Sequence, residues 1–262
     1  MCCFSNAPAF EAVTNTQIFA RLTAPDRQVL AYSMTVTARE SLAMILPIPV
    51  PPHSDEGAVT FINLEGYADF FDDLSRGFPA PQPRGMPIAL GMPERSATLK
   101  VHDVGAFEAS FVPTVDDFSR LDPRFTLDTA VWDRLPLYRD YGFAVFKLKG
   151  FAASGWGLSR LLSRGGAVAK TIHPMAFSFP TRRPGALFFP TVHIHDGSVH
   201  RTAHFDHTLY GQADGQQADW RVSSGPARGF VDAGRTKGLV DGGRPCLRRK
   251  MVGTLPNRDV WL

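Results

Sequence analysis

Cysteine is scarce in this chain, with three residues among 262. Two of them, Cys2 and Cys3, are sequence neighbours that a disulfide would join only through a strained ring. A disulfide framework is excluded, and a reducing, cytoplasmic setting is the simpler expectation. Long apolar runs are missing as well. The greasiest stretch, Leu42 to Val50, is broken by Pro47 and Pro49, and the amino terminus lacks the basic start and apolar core of a signal peptide, so no membrane span is predicted. Neither sign of charge is in excess: 28 Lys and Arg against 25 Asp and Glu leave +3, too little for a surface that tracks phosphates. The basic tract Arg244 to Lys250 has no interleaved aromatic platform. Gly234 to Gly243 lacks a preceding strand and the Lys-Ser/Thr of a phosphate loop, so neither nucleic-acid nor nucleotide binding is predicted.

Apolar residues, by contrast, make up 44% of the chain and Phe alone fills 20 positions, enough for a substantial buried core. Strand-like runs at Gln17 to Leu22 and Gln28 to Thr37 flank Ala24-Pro25-Asp26-Arg27, which has turn composition, and together predict a hairpin. Leu42 to Leu46 reads as a strand buried on both faces. Tyr67, Phe70, Phe71, Leu74 and Phe78 recur at helical period and predict one helix with an apolar stripe. Further strands are expected at Leu99 to Val104, Ala106 to Val112, Tyr141 to Leu148, Met175 to Phe179 and Ala186 to His195. Short helices are expected after Thr114 and near Leu127 to Leu135. The fold class is α+β, strand-dominated, with antiparallel sheets and a few short helices. Residues 1–210 are expected to form a single domain, with lobes 1–78 and 98–210 if the Pro/Gly-rich segment 79–97 divides it. Residues 211–262 read as a Gly/Arg-rich extension, an extended wrap or partly disordered.

Histidine is concentrated. Five of the eight, at positions 193, 195, 200, 204 and 207, fall within fifteen residues. Asp196-Gly197 between alternating segments signals a two-residue hairpin, which would place His193 opposite His200 and His195 opposite Ser198. On that register His193, His195 and His200 share one face and can converge on a Cu, Zn or Fe ion, because imidazole binds all three. The same rings equally suit a half-exposed strand face, bonded to neighbours or to water. His204 lies too far along the strand to join unless it bends. Asp206 and His207, being adjacent on a strand, are expected to face different partners.

Cys2 is the second candidate. Removal of Met1 would leave an α-amine beside its thiol, either an amino-terminal nucleophile for amide hydrolysis or a nitrogen–sulfur pair of metal ligands. A buried, inert thiol packed beside Phe4 is the plainer alternative, and Cys246 reads the same way. Cys2-Cys3-Phe4, followed by Ala43-Met44-Ile45-Leu46-Pro47-Ile48-Pro49 and His173-Pro174-Met175-Ala176-Phe177, resembles a bacterial family of unknown function. The mature chains of that family begin Cys-x-Phe and carry an Ala-Met-x-x-Pro-x-Pro segment. The resemblance spans roughly residues 2 to 190 and implies a working role for Cys2. It does not extend to the histidine segment and implies no reaction.

Three functions follow as expectations. The first is a metal-binding protein, in one form a metal-dependent redox enzyme, with His193, His195, His200 and Cys2 as ligands. The second is an amino-terminal nucleophile hydrolase acting through Cys2 on a small molecule or peptide. The third is a non-catalytic module that holds a protein partner.

Overall fold

The first hairpin sets the frame. Strands β2 (Phe10–Ala24) and β3 (Arg27–Ala38) are antiparallel and joined at Pro25-Asp26, with Ala24 paired to Arg27. The computed structural model describes residues 2–5, 9–79, 107–121, 132–133, 135–149, 167–194, 200–215 and 217–262, with residues 2 and 3 described by their backbone. The strand expected at Leu99 to Val104 and most of the helix expected near Leu127 to Leu135 lie outside the described residues.

Around the hairpin stands a seven-stranded mixed sheet in the order β12-β13-β11-β2-β3-β8-β5. Its remaining members are β5 (Thr60–Asn63), β8 (Val168–Pro180), β11 (Thr202–Gln212), β12 (Arg221–Pro226) and β13 (Pro245–Pro256). The β2–β11 contact is parallel and all others are antiparallel. A five-stranded sheet, β10-β1-β4-β7-β6, contains β1 (Cys2–Phe4), β4 (Leu42–Ile48), β6 (Phe107–Val112), β7 (Gly142–Leu148) and β10 (His193–Ile194). Strands β9 (Phe188–Phe189) and β14 (Val260–Trp261) pair separately.

Alternation along the strands sorts two cores. Leu30, Tyr32, Met34 and Val36 of β3 point to one face with Phe177 and Phe179, where they meet β4 and β7 of the other sheet. Phe146 of β7 lies 5.8 Å from Phe61 and 5.9 Å from Phe177 between ring centroids, so aromatic contacts span the layer. Val29, Ala31 and Phe19 point the opposite way, onto helix α1 (Phe70–Arg76) and the loops near Val231, Leu239 and Val240. The predicted stripe Tyr67, Phe70, Phe71, Leu74 and Phe78 is buried there, although the α-helix covers only its middle and Tyr67 sits in a preceding 3-10 turn. Among the described residues short helices are few. The chain after Thr114 forms a 3-10 turn, Asp116–Arg120, in which the Thr114 hydroxyl donates to the Asp117 carboxylate at 2.8 Å.

Residues 211–262, read from the sequence as an extension, carry β12, β13 and β14, and β13 pairs with β11 from Thr202↔Pro256 to Gly211↔Leu247. Glycine and arginine hide this strand from periodicity, because Arg248, Arg249 and Lys250 face partly to solvent while Cys246, Leu247 and Met251 are buried. No described helix is long and apolar enough to cross a membrane.

Candidate functional site

Strand β1 lies between β10 and β4. Its parallel register with β10 pairs Cys2 with His193 and Cys3 with Ile194, while Cys3 pairs with Ile45 on the other side. Cys2 is thereby placed beside the first histidine of the cluster, at the ~4.8 Å spacing of neighbouring strands. Phe4 anchors it: the ring is buried and stacks on Phe10 of β2 with centroids 4.7 Å apart.

β10 is short and is held by side chains. The Asn257 Oδ1 accepts the His193 N–H at 2.7 Å, and its Nδ2 donates to the His193 carbonyl at 2.9 Å and the His200 carbonyl at 3.1 Å. Asp259 Oδ1 accepts the N–H groups of Thr191 and Val192 at 2.8 and 3.1 Å. These contacts satisfy backbone groups that a two-residue strand leaves outside a ladder.

The His193 ring crosses from the five-stranded sheet to the inner face of the seven-stranded one. There its Nε2 lies 3.0 Å from the Nε2 of His207, with ring centroids 4.7 Å apart and an interplanar angle of 31°. Phe205 packs against both imidazoles, at 4.5 Å from His193 and 5.2 Å from His207. Two head-on imidazoles at this nitrogen separation would hold their centroids more than about 5 Å apart, so the nitrogen axes are bent off the line that a hydrogen bond prefers. The separation is also near the ~3.3 Å edge of a tetrahedron with metal–nitrogen bonds of about 2.0 to 2.1 Å.

Of the residues predicted from sequence, Cys2 and His193 are brought together by the backbone register. His195 and the Asp196-Gly197 turn lie outside the described residues. His200 is exposed and does not face His193 across a ladder: β10 pairs with β1, whereas β11 pairs with β13 and β2. β11 makes a ten-position antiparallel match with β13, so the chain passes from the five-stranded sheet at His193–Ile194 to the seven-stranded one at Thr202. His204 is exposed. Asp206 and His207 do part company. Asp206 Oδ2 accepts the Asn15 N–H at 2.8 Å on the outer side, and His207 is buried. Cys246 is buried in the second core, and burial pushes its thiol up to about 12.

His207 is the participant that spacing overlooked. The signal for it was the alternation Phe205-His207-Leu209, which puts this imidazole on the apolar face of its strand. Among the described residues no three His, Cys, Asp or Glu side chains gather closely enough to hold a metal ion. The described part of the site is therefore the imidazole pair, with Cys2 beside it in backbone register.

A pocket of about 450 Å³ opens next to the pair, lined by β2 residues from Phe10 to Thr14, by Thr16, and by His193, His204, Asp206 and His207. Thr16 is buried, pairs in register with His207, and its hydroxyl has no hydrogen-bond partner among the described residues.

No family profile and no curated protein sequence matches the chain. Solved structures of similar arrangement include that of baculovirus P35, at 13% identity and a TM-score of 0.48, covering 97% of this chain and 96% of that one. A mutated baculovirus P35 after caspase cleavage aligns at 11% identity and 0.44, over 95% of this chain and 99% of that one. The caspase-8/P35 complex aligns at 12% identity and 0.41, over 95% of each chain.

Proposed function

We propose that this protein binds a transition metal ion, copper, zinc or iron, through His193 and His207 together with Cys2. The observation that carries the reading is the bent imidazole pair, with nitrogens 3.0 Å apart, in which His193 lies on a strand whose parallel neighbour holds Cys2 in register with it. Two imidazole nitrogens and a thiolate make a borderline-soft donor set suited to these ions. His207 takes the place that sequence spacing assigned to His200, while Cys2 and His193 keep their expected parts. With copper or iron the bound ion would supply one-electron chemistry, and the chain's own residues would hold its ligands in place.

Elemental analysis after incubation with each ion and gel filtration tests this. Near-stoichiometric metal is expected in the wild type, retained in His200→Ala and lost in both His193→Ala and His207→Ala. A wild type that takes up none, or the same content in all four proteins, would refute it.

A second reading is favoured by the Cys2–His193 register alone: a cysteine and a histidine on adjacent strands can supply the thiol and base of a nucleophilic hydrolase. Metal-free protein would then react with a thiol electrophile at Cys2, and His193→Ala would slow that reaction at least tenfold. Equal rates in the two proteins would discard this reading.

A further inference from the structure

The sheet is split beside the histidines. β2 and β11 pair in parallel from Thr16↔His207 to Arg21↔Gln212 and no further. Before that point residues 12–14 of β2 are laddered to β3 on one side, with Glu11 in an irregularity, and residues 202–206 of β11 to β13 on one side. On their other sides neither segment has a strand partner among the described residues. The parting has a local cause. β2 is irregular between Phe10 and Ala12 and again between Thr14 and Gln17, where Asn15 takes the left-handed conformation at φ 52°. The Asp206 carboxylate caps the Asn15 N–H at the apex, closing the split at one end.

The 450 Å³ pocket fills this split, within the ~300 to 1,000 Å³ range of ligand sites. It is lined along β2 from Phe10 to Thr14 and along β11 from His204 to His207, with Val252 of β13 beside them. Because these stretches of β2 and β11 lack a described strand partner toward each other, the matching ligand is one that alternates N–H and C=O along both of its sides, namely an extended peptide. Four residues of wall, at ~3.3 Å each, suit a segment of about four residues. Charge narrows the choice. The acidic side chains lining the pocket are Glu11 and Asp206, and no described Lys or Arg lines it. Glu11 is paired with Arg39 at 2.6 Å, whereas Asp206 meets no described cation. At the closed end the Thr16 hydroxyl is buried and has no described partner.

We infer that the cleft between β2 and β11 takes an extended peptide segment carrying a basic side chain, which inserts as an additional strand with its cation near Asp206. This goes beyond the metal reading and does not depend on it.

The test uses the full chain in the presence of a chelator, with a randomised library of acetylated, amidated hexapeptides as probe. Enrichment of sequences with Lys or Arg is expected on the wild type and not on Ala12→Trp, a variant whose retained fold is checked by circular dichroism. The best peptide should slow amide exchange of residues 11–14 and 202–206 at least tenfold. Backbone N-methylation of that peptide should weaken binding at least tenfold, and Asp206→Asn should reduce the preference for a basic residue. Absence of enrichment over Ala12→Trp, unchanged exchange in both segments, or full affinity of the N-methylated peptide would each overturn the proposal. If Ala12→Trp does not fold, exchange and N-methylation still decide. Because metal is excluded, failure here leaves the metal reading standing, and failure of metal uptake leaves this one standing.

Discussion

Asn257 grips the main chain of His193 from both sides, accepting its N–H at 2.7 Å and donating to its carbonyl at 2.9 Å. One amide thus does for a two-residue strand what a ladder does for a long one, and it also reaches the carbonyl of His200. The position of the candidate site depends on a residue near the opposite end of the chain.

Replacing Asn257 by Ala removes all three bonds, and the change should cost about 2 kcal/mol, since partly buried backbone groups lose their partners. Asn257→Asp keeps the acceptor and loses the donor, and should fall between Ala and wild type. Urea unfolding measures the order of the three, and equal stability would show that the clamp contributes nothing.

Gly142 is packed too closely for a side chain. A Cβ there would meet the Phe111 ring at 2.5 and 2.7 Å and Val50 Cγ2 at 2.8 Å. Gly142→Ala should therefore destabilise by about 1 to 3 kcal/mol through overpacking between β6 and β7. A thermal melt unchanged from wild type would contradict the packing described.

Burial holds the His173 imidazole below its ordinary pKa, with Glu65 and Lys170 as the nearby charges acting in opposite directions. The ring also lies 4.6 Å from Phe107 between centroids. A depressed folded pKa means that the unfolded chain takes up the proton more readily. The stabilising contribution is complete above the unfolded value of about 6.5 and is lost as pH falls through the lower folded value. His173→Gln should flatten this part of the profile of unfolding free energy against pH, and an unchanged acid limb would count against it.

Cys246 donates its backbone N–H to the Ser223 hydroxyl at 2.9 Å, and its thiol is buried and pushed up to about 12. Alkylation at about pH 8 should leave Cys246 unmodified in the native protein and label it fully in denaturant. Peptide mass mapping separates the outcomes, and rapid native labelling at this residue would show that the core around it opens.

Where the sequence pattern is strict, the fold was legible. The apolar run from Leu42 to Leu46 is buried at every position, and the turn composition at Pro25-Asp26 lies where β2 and β3 join. The strand-dominated class follows from such runs, although among the described residues the α-helix Phe70–Arg76 is shorter than its Tyr67-to-Phe78 stripe suggests. β13 was hidden because its arginines and Gly253 disguise alternation that only its neighbours β11 and β12 reveal. At the candidate site, density marked the segment that carries both His193 and His207, but the hairpin rule treats strands as local partners. His193 and His207 meet across two layers, and no residue count along one ribbon foretells that. Cys2 beside His193 was anticipated as a neighbourhood, whereas the parallel register that creates it depends on where the whole chain returns.

The parallel seam between β2 and β11 joins residues near the beginning of the chain to residues translated almost 200 positions later. During synthesis the early hairpin must wait with its Thr16-to-Arg21 edge open, and β11 in turn lacks β13 until Pro245 to Pro256 have left the ribosome. Assembly is therefore of high contact order and slow. Nascent or prematurely terminated chains would present bare sheet margins, making them natural clients for a chaperone and prone to clumping when none is at hand.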